Sequence, residues 1–153
     1  MRNWTVAAVS TAFLSALVWQ GTSRPAMAQN QAAEEEPLVD NEGLPTYKVQ
    51  DGKVDRGTYN GYRRYHNSCH VCHGPDGLGS TFAPNLTDSL KRLDYYQFAE
   101  TVAAGRQVAG ASGDRVMPSF GTDPNVMNHL DDLYRYLKAR SDGALDRGRP
   151  QRY

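Results

Sequence analysis

Apolar and polar positions divide the chain into an apolar opening, a polar lead-in and three amphipathic stretches separated by glycine-rich loops. Tyr59, Tyr62, Tyr65 and His66 recur at helical spacing, and Asp55 can accept from the first free backbone N–H groups, so a helix is predicted over 55–66. Gly61 inside it costs about 1 kcal/mol relative to alanine. Its presence predicts that another backbone passes close by. A second helix is predicted over 94–104, where Asp94 and Gln97 form a capping-box pair and Gly105 follows the last periodic residue. A third is predicted over 124–140. Asp123 serves as its N-cap, Pro124 as its first residue, and Val126, Leu130, Leu133, Tyr134 and Leu137 as its apolar stripe. The stretches 74–86 and 105–123 read as loops. No segment alternates convincingly as a strand. The fold class expected is therefore all-α.

The opening has the three parts of a secretory signal peptide. A basic start at Arg2 is followed by a mainly apolar run from Trp4 to Trp19 and then by Ala26-Met27-Ala28. The run is interrupted by Thr5, Ser10, Thr11 and Ser15, and a membrane span needs roughly 20 predominantly apolar residues. Cleavage after Ala28 is expected, leaving a periplasmic protein with no other candidate span. Residues 29–54, with Glu34-Glu35-Glu36-Pro37, read as a flexible acidic lead-in, and 141–153 as a polar, mobile tail. The domain proper is expected over 55–140. Loss of residues 1–28 removes Arg2 and Arg24 and no acid, leaving 15 basic against 17 acidic residues. That balance argues against nucleic acid as a partner, because phosphate binding needs a positive surface. A core of this size is marginal on apolar burial alone, so a large apolar cofactor would answer a real deficit.

The chemistry lies in Cys69-His70-Val71-Cys72-His73, the C-x-x-C-H pattern of c-type haem attachment. Two thiols three residues apart on a tight turn can reach the two vinyl groups on one edge of a porphyrin. The adjacent His73 can then lie under the iron. Two other readings compete: a thioredoxin-like thiol pair, which expects a βαβ context, and half of a zinc site completed by two of His66, His70, His73 and His129. For a sixth iron ligand, Met117 and Met127 remain after signal removal. Met117, in a loop before Pro118, can be aimed at an iron, whereas Met127 falls in a predicted helix. His129 and His66 are the alternative ligands. Methionine–histidine ligation raises the reduction potential and fills the iron, favouring electron transfer over oxygen chemistry.

Over about 55–140 these residues resemble the class I cytochromes c. Gly61, Tyr65 and Cys69 are similar to that family's glycine–aromatic–cysteine ladder. The resemblance implies that the first and last helices cross at Gly61, with Leu133, Tyr136 and Leu137 opposite. It implies that the Pro84 carbonyl accepts a hydrogen bond from His73, and that Met117-Pro118 is the distal ligand segment. The expected architecture is three main helices around one covalent haem c. Tyr65, Phe82, Leu86, Phe98, Val102, Phe120, Leu133 and Leu137 are the candidate pocket lining. The stretches 65–80, 116–121 and 136–150 further resemble cytochromes of methanol metabolism, which accept electrons from pyrroloquinoline-quinone alcohol dehydrogenases. That likeness implies a non-enzymatic one-electron carrier, fed by such a quinoprotein and emptied by an oxidase or another cytochrome. A haem enzyme or gas sensor with an open sixth position is the alternative. Nothing in the sequence demands more than a monomer.

Overall fold

The computed structural model describes residues 37–110 and 113–153; the signal peptide expected over 1–28 lies outside them. Two short strands come first, β1 (Val49–Gln50) and β2 (Lys53–Val54), paired antiparallel across Asp51-Gly52. Both turn residues have positive φ, 49° and 72°, as a two-residue hairpin matching the twist of its strands requires. Then follow α1 (Arg56–Ser68), α2 (His70–His73), a 3-10 turn at Pro75–Gly77, α3 (Leu86–Ser89) and α4 (Tyr95–Ala104). The chain continues through β3 (Arg106–Val108), β4 (Arg115–Met117), α5 (Pro124–Met127), α6 (Leu130–Ser141) and β5 (Gln151–Arg152). β5 lies parallel to β2, closing a β1-β2-β5 sheet, while β3 and β4 form an antiparallel pair.

The predicted caps are in place. The Asp55 carboxylate accepts from Thr58 N–H at 2.9 Å, and Asp94 and Gln97 form a reciprocal capping box. α1 and α6 cross at Gly61, where a Cβ would overlap the Asp132 carbonyl oxygen and lie 2.9 Å from Tyr136 Cβ. Tyr65, Tyr136, Leu133 and Leu137 fill the crossing, each at most 2 % exposed.

Four expectations need correction. The fold is mainly helical but not purely all-α, with six α-helices rather than three among the described residues, and with short strands. The helix predicted over 124–140 is two helices, because His129 leaves helical geometry and its ring sits 3.2 Å from the Asn60 amide of α1. Residues 37–54 are not a loose lead-in. The Arg135 guanidinium donates to the carbonyls of Thr46 and Leu38, Tyr47 donates to Asp142 at 2.9 Å, and Val54 is fully buried. Nor is the tail free, since Leu145 and Pro150 are buried and β5 pairs with β2. The packed unit therefore extends on both sides of 55–140. Among the described residues, no helix is long and apolar enough to cross a membrane.

Candidate haem-attachment site

Cys69 ends α1 and opens α2, so the motif begins as a continuation of the first helix, which buries Thr58, Gly61 and Tyr65. The N–H groups of Cys72 and His73 both donate to the Cys69 carbonyl, at 3.2 and 3.0 Å. This single turn sets the two cysteines at the i, i+3 spacing that shares a helix face. Both are free thiols, Cys72 exposed and Cys69 partly buried. Burial, and then neighbouring Cys72, push the Cys69 thiol up to about 11, so it stays protonated at neutral pH.

His73 is 6 % exposed, and its Nδ1 lies 3.0 Å from the Pro84 carbonyl oxygen. A carbonyl can only accept, so Nδ1 carries the proton and Nε2 keeps its lone pair for a ligand. The Pro84 segment is brought in by Gly79, whose N–H donates to the His73 carbonyl at 2.8 Å. With φ +85°, a Cβ on Gly79 would lie 2.7 Å from Asn85 N. Tyr65 hydroxyl donates to the Gly74 carbonyl and Ser80 hydroxyl to the Cys72 carbonyl, pinning both ends of the loop.

Asp76, 6 % exposed, accepts from Arg147 Nε at 3.1 Å and Gly148 N–H at 2.9 Å, and its carbonyl faces Arg140. Burial raises its pKa, but the bonds from Gly148 and Arg147 and the charges of Arg140 and Arg147 outweigh this and hold it below the usual carboxylate value. This anchor was missed from sequence, where Asp76 reads as one more residue of a glycine-rich loop.

Met117 lies at the end of β4 rather than in the irregular loop expected over 105–123. It pairs with Arg106 in β3 and packs, partly buried, against the core. Gly105, φ +74°, permits the approach: a Cβ there would lie 2.6 Å from the Met117 carbonyl oxygen and 2.7 Å from Ser119 N. Ser119 hydroxyl and Gly121 N–H both donate to the Ala103 carbonyl, and Phe120 N–H to Val102 at 3.1 Å. Met127 is partly buried in α5, and His129 is engaged with Asn60 and Asp132.

Of the expected lining, Tyr65, Phe98, Val102, Leu133 and Leu137 are buried, while Leu86 and Phe120 are partly so. Phe82 differs. It is 74 % exposed at the tip of the turn closed by the Phe82 N–H to Ser80 bond. Val71 and Val116 are also exposed large apolar groups, one beside Cys72 and the other beside Met117. Two free thiols a turn apart, an imidazole with an unengaged Nε2 and apolar side chains on both segments fit a flat, apolar, iron-bearing group. Among the described residues, no three His, Cys, Asp or Glu side chains gather as a zinc site would require.

Residues 58–137, more than half of the chain, match the family described as cytochrome c oxidase, cbb3-type, subunit III. The chain is a class I c-type cytochrome. Haem c, covalently bound, is its cofactor. The cytochrome is 53% identical over 110 residues to cytochrome c-553I of Paracoccus denitrificans, a match covering 71% of this chain and 49% of that protein. It thus spans about half the length of that relative. It is 44% identical over 96 residues to cytochrome c-555 of Methylococcus capsulatus (strain ATCC 33009 / NCIMB 11132 / Bath), covering 62% of this chain and 72% of the relative. The crystal structure of the c-type cytochrome XoxG from Methylobacterium extorquens AM1 superposes with a TM-score of 0.68 at 53% identity, over 74% of this cytochrome and 70% of XoxG.

Proposed function

We infer that this cytochrome is a periplasmic, monomeric one-electron carrier, taking electrons from a quinoprotein alcohol dehydrogenase and passing them to an oxidase or another cytochrome. In this reading Cys69 and Cys72 would form the thioether bonds. His73 would offer Nε2 to the iron, with Pro84 fixing its tautomer and orientation, and Met117 would supply a second side-chain ligand. The observation carrying the reading is the His73–Pro84 bond directly after two free thiols. Such a bond orients an iron-ligating imidazole and raises its basicity. The bound haem supplies a reversible one-electron couple. The chain's own part would be to hold His73 and Met117 in place, limit water and present an edge of the group to partners.

The donor assignment is supported by likeness to XoxG and to the curated cytochromes. The test is reduction of the purified, haem-loaded protein by a quinoprotein methanol dehydrogenase supplied with methanol. Rapid reduction is expected; none, in protein that ascorbate still reduces, would sink the donor assignment. Carbon monoxide tests the other side. Slow or absent binding is expected in the native protein and fast binding in Met117→Ala. Fast binding in both would favour a gas-binding or catalytic haem.

A further inference from the structure

A file of aromatic rings runs along α1 into α2. Tyr59, Tyr62, His66 and His70 follow at three- and four-residue spacing along one face. Their ring centroids are separated in turn by 6.2, 4.2 and 5.5 Å, and the last pair is stacked at 21°. The His66 ring is fixed by its Nδ1 contact, 2.9 Å, with the Tyr62 carbonyl. The file ends at His70, between the two cysteines. It begins at Tyr59, in an open cleft of about 540 Å³ lined by Tyr59, Arg149, Pro150, Gln151 and Arg152.

That cleft is cationic. Arg149 donates to the Tyr59 hydroxyl at 2.6 Å, its guanidinium 5.8 Å from the ring centroid. Lys53 faces Gln151 across the β2–β5 pairing, and Arg56 lies one turn before Tyr59 on α1. Among the described residues, no carboxylate lies within ion-pair distance of Arg149, Arg152, Lys53 or Arg56. Asp51 and Asp146 are the exposed acids of the adjoining segments. The backbone that carries Arg149 and Arg152 is held in place, because Pro150 is buried, β5 is paired and the preceding Arg147-Gly148 is bound to Asp76.

We propose that this cleft is a docking site for a redox protein with an acidic surface, and that the ring file carries the electron between that partner and the haem. The inference rests on attachment of haem at Cys69 and Cys72. One electron leaves the reduced cytochrome and one arrives at the oxidised partner; no bond forms or breaks and no proton moves. The rings are not themselves oxidised. Their π orbitals lie closer in energy to the transferring electron than those of saturated side chains or solvent, so they lower the tunnelling barrier. Unpaired guanidinium and ammonium groups around a concave site steer an anionic partner toward it.

Stopped-flow oxidation of the reduced, haem-loaded protein tests both halves, with ferricyanide as the anionic oxidant and tris(phenanthroline)cobalt(III) as the cationic one. Arg149→Glu with Arg152→Glu should slow ferricyanide about tenfold at low ionic strength, a gap that salt closes. It should not slow the cobalt complex. Tyr62→Leu with His66→Leu should slow ferricyanide at every salt concentration, with spectrum and potential unchanged, while Tyr62→Phe keeps the native rate. On the native protein, redox-inert hexacyanochromate(III) should broaden the amide resonances of Tyr59, Arg149 and Gln151. Unchanged ferricyanide rates in the charge-reversed protein, or broadening centred on Val71 and Val116 instead, would overturn the proposal. If the purified protein lacked a haem spectrum, the attachment reading would fail instead, so the two failures are separable.

Discussion

His73 is 6 % exposed, tied through its ring to Pro84 and set on a segment that continues the first helix, whose Gly61 and Tyr65 are buried at the crossing with α6. Met117 ends a three-residue strand whose companions, Arg115 and Val116, are exposed, and only its base is bonded to α4. The proximal segment is thus part of the core, and the Met117 segment is clipped onto it. Distortion on the proximal side must spread into the α1–α6 crossing. Distortion on the distal side can stop at the hairpin. With the ligands proposed above, His73 would be tied to folding while Met117 could be exchanged at small cost, which would suit a carrier whose potential depends on that second ligand.

The largest effect is expected where the proximal segment rests on the crossing. Gly61→Val would drive two methyl groups against the Asp132 carbonyl and Tyr136 Cβ. Backbone cannot swing aside as a side chain can, so the loss should reach about 3 kcal/mol or more, the upper end for overpacking. A urea midpoint and the yield of haem-loaded protein measure it. A near-native midpoint would mean that the helices separate easily and that the core does not carry the proximal side.

A matched pair of alanine substitutions sharpens the contrast. Gly79→Ala and Gly105→Ala each place a Cβ under 3 Å from backbone at positive φ. Each should cost about 1–3 kcal/mol, but with different signatures. Gly79→Ala should lower the unfolding midpoint and shift the potential through the His73–Pro84 bond, leaving carbon monoxide excluded. Gly105→Ala should speed carbon monoxide binding, with most of the fold intact. If both variants admitted carbon monoxide equally, the two segments would be mechanically one.

How much of this could be read from residues alone depends on the range of the forces involved. The helices that start after Asp55 and Asp94, their two caps and the close approach at Gly61 are local or periodic signals and appear where expected, whereas the helix expected over 124–140 is broken at His129. Cys69, Cys72 and His73 share one turn, and the Pro84 carbonyl lies 3.0 Å from His73 Nδ1. The break at His129 was hidden because Val126, Leu130 and Leu133 keep helical spacing straight through it. Asp51-Gly52 between Val49 and Val54 is a genuine hairpin signal, overlooked because two-residue strands carry too little alternation to register. Ordering of 37–54 depends on a guanidinium some 90 residues away in sequence, Arg135 reaching Thr46, and no local pattern encodes that. The same holds for Asp76 and the tail.

Asp76 makes the next prediction. Asp76→Asn keeps the shape but weakens the bonds to Arg147 and Gly148 and should cost about 1.5–3 kcal/mol at neutral pH, the range for hydrogen bonds to a charged group. Because the folded pKa lies below 3.8, this contribution is complete above 3.8 and disappears as pH falls through the lower folded value. Wild type and variant should therefore converge in acid. Parallel stability curves down to the acid transition would show that the carboxylate charge is not what holds the tail.

Tyr47→Phe should have the smallest effect, and it serves as a control for the contrast between the two segments. Tyr47 joins the 37–54 segment to Asp142 at the end of α6, away from both His73 and Met117 in the chain. Burial, then the hydrogen bond to Asp142 and its charge, raise the phenol from 10.0 to about 12. A raised folded pKa means stabilisation that is fully present below pH 10.0 and lost as pH climbs through about 12. Removing the hydroxyl of this half-buried group should cost about 0.5–1 kcal/mol at neutral pH and flatten the alkaline fall seen by far-ultraviolet circular dichroism. Potential and carbon monoxide kinetics should stay native. A shift in either would mean that the edge sheet and α6 transmit strain to His73 and Met117.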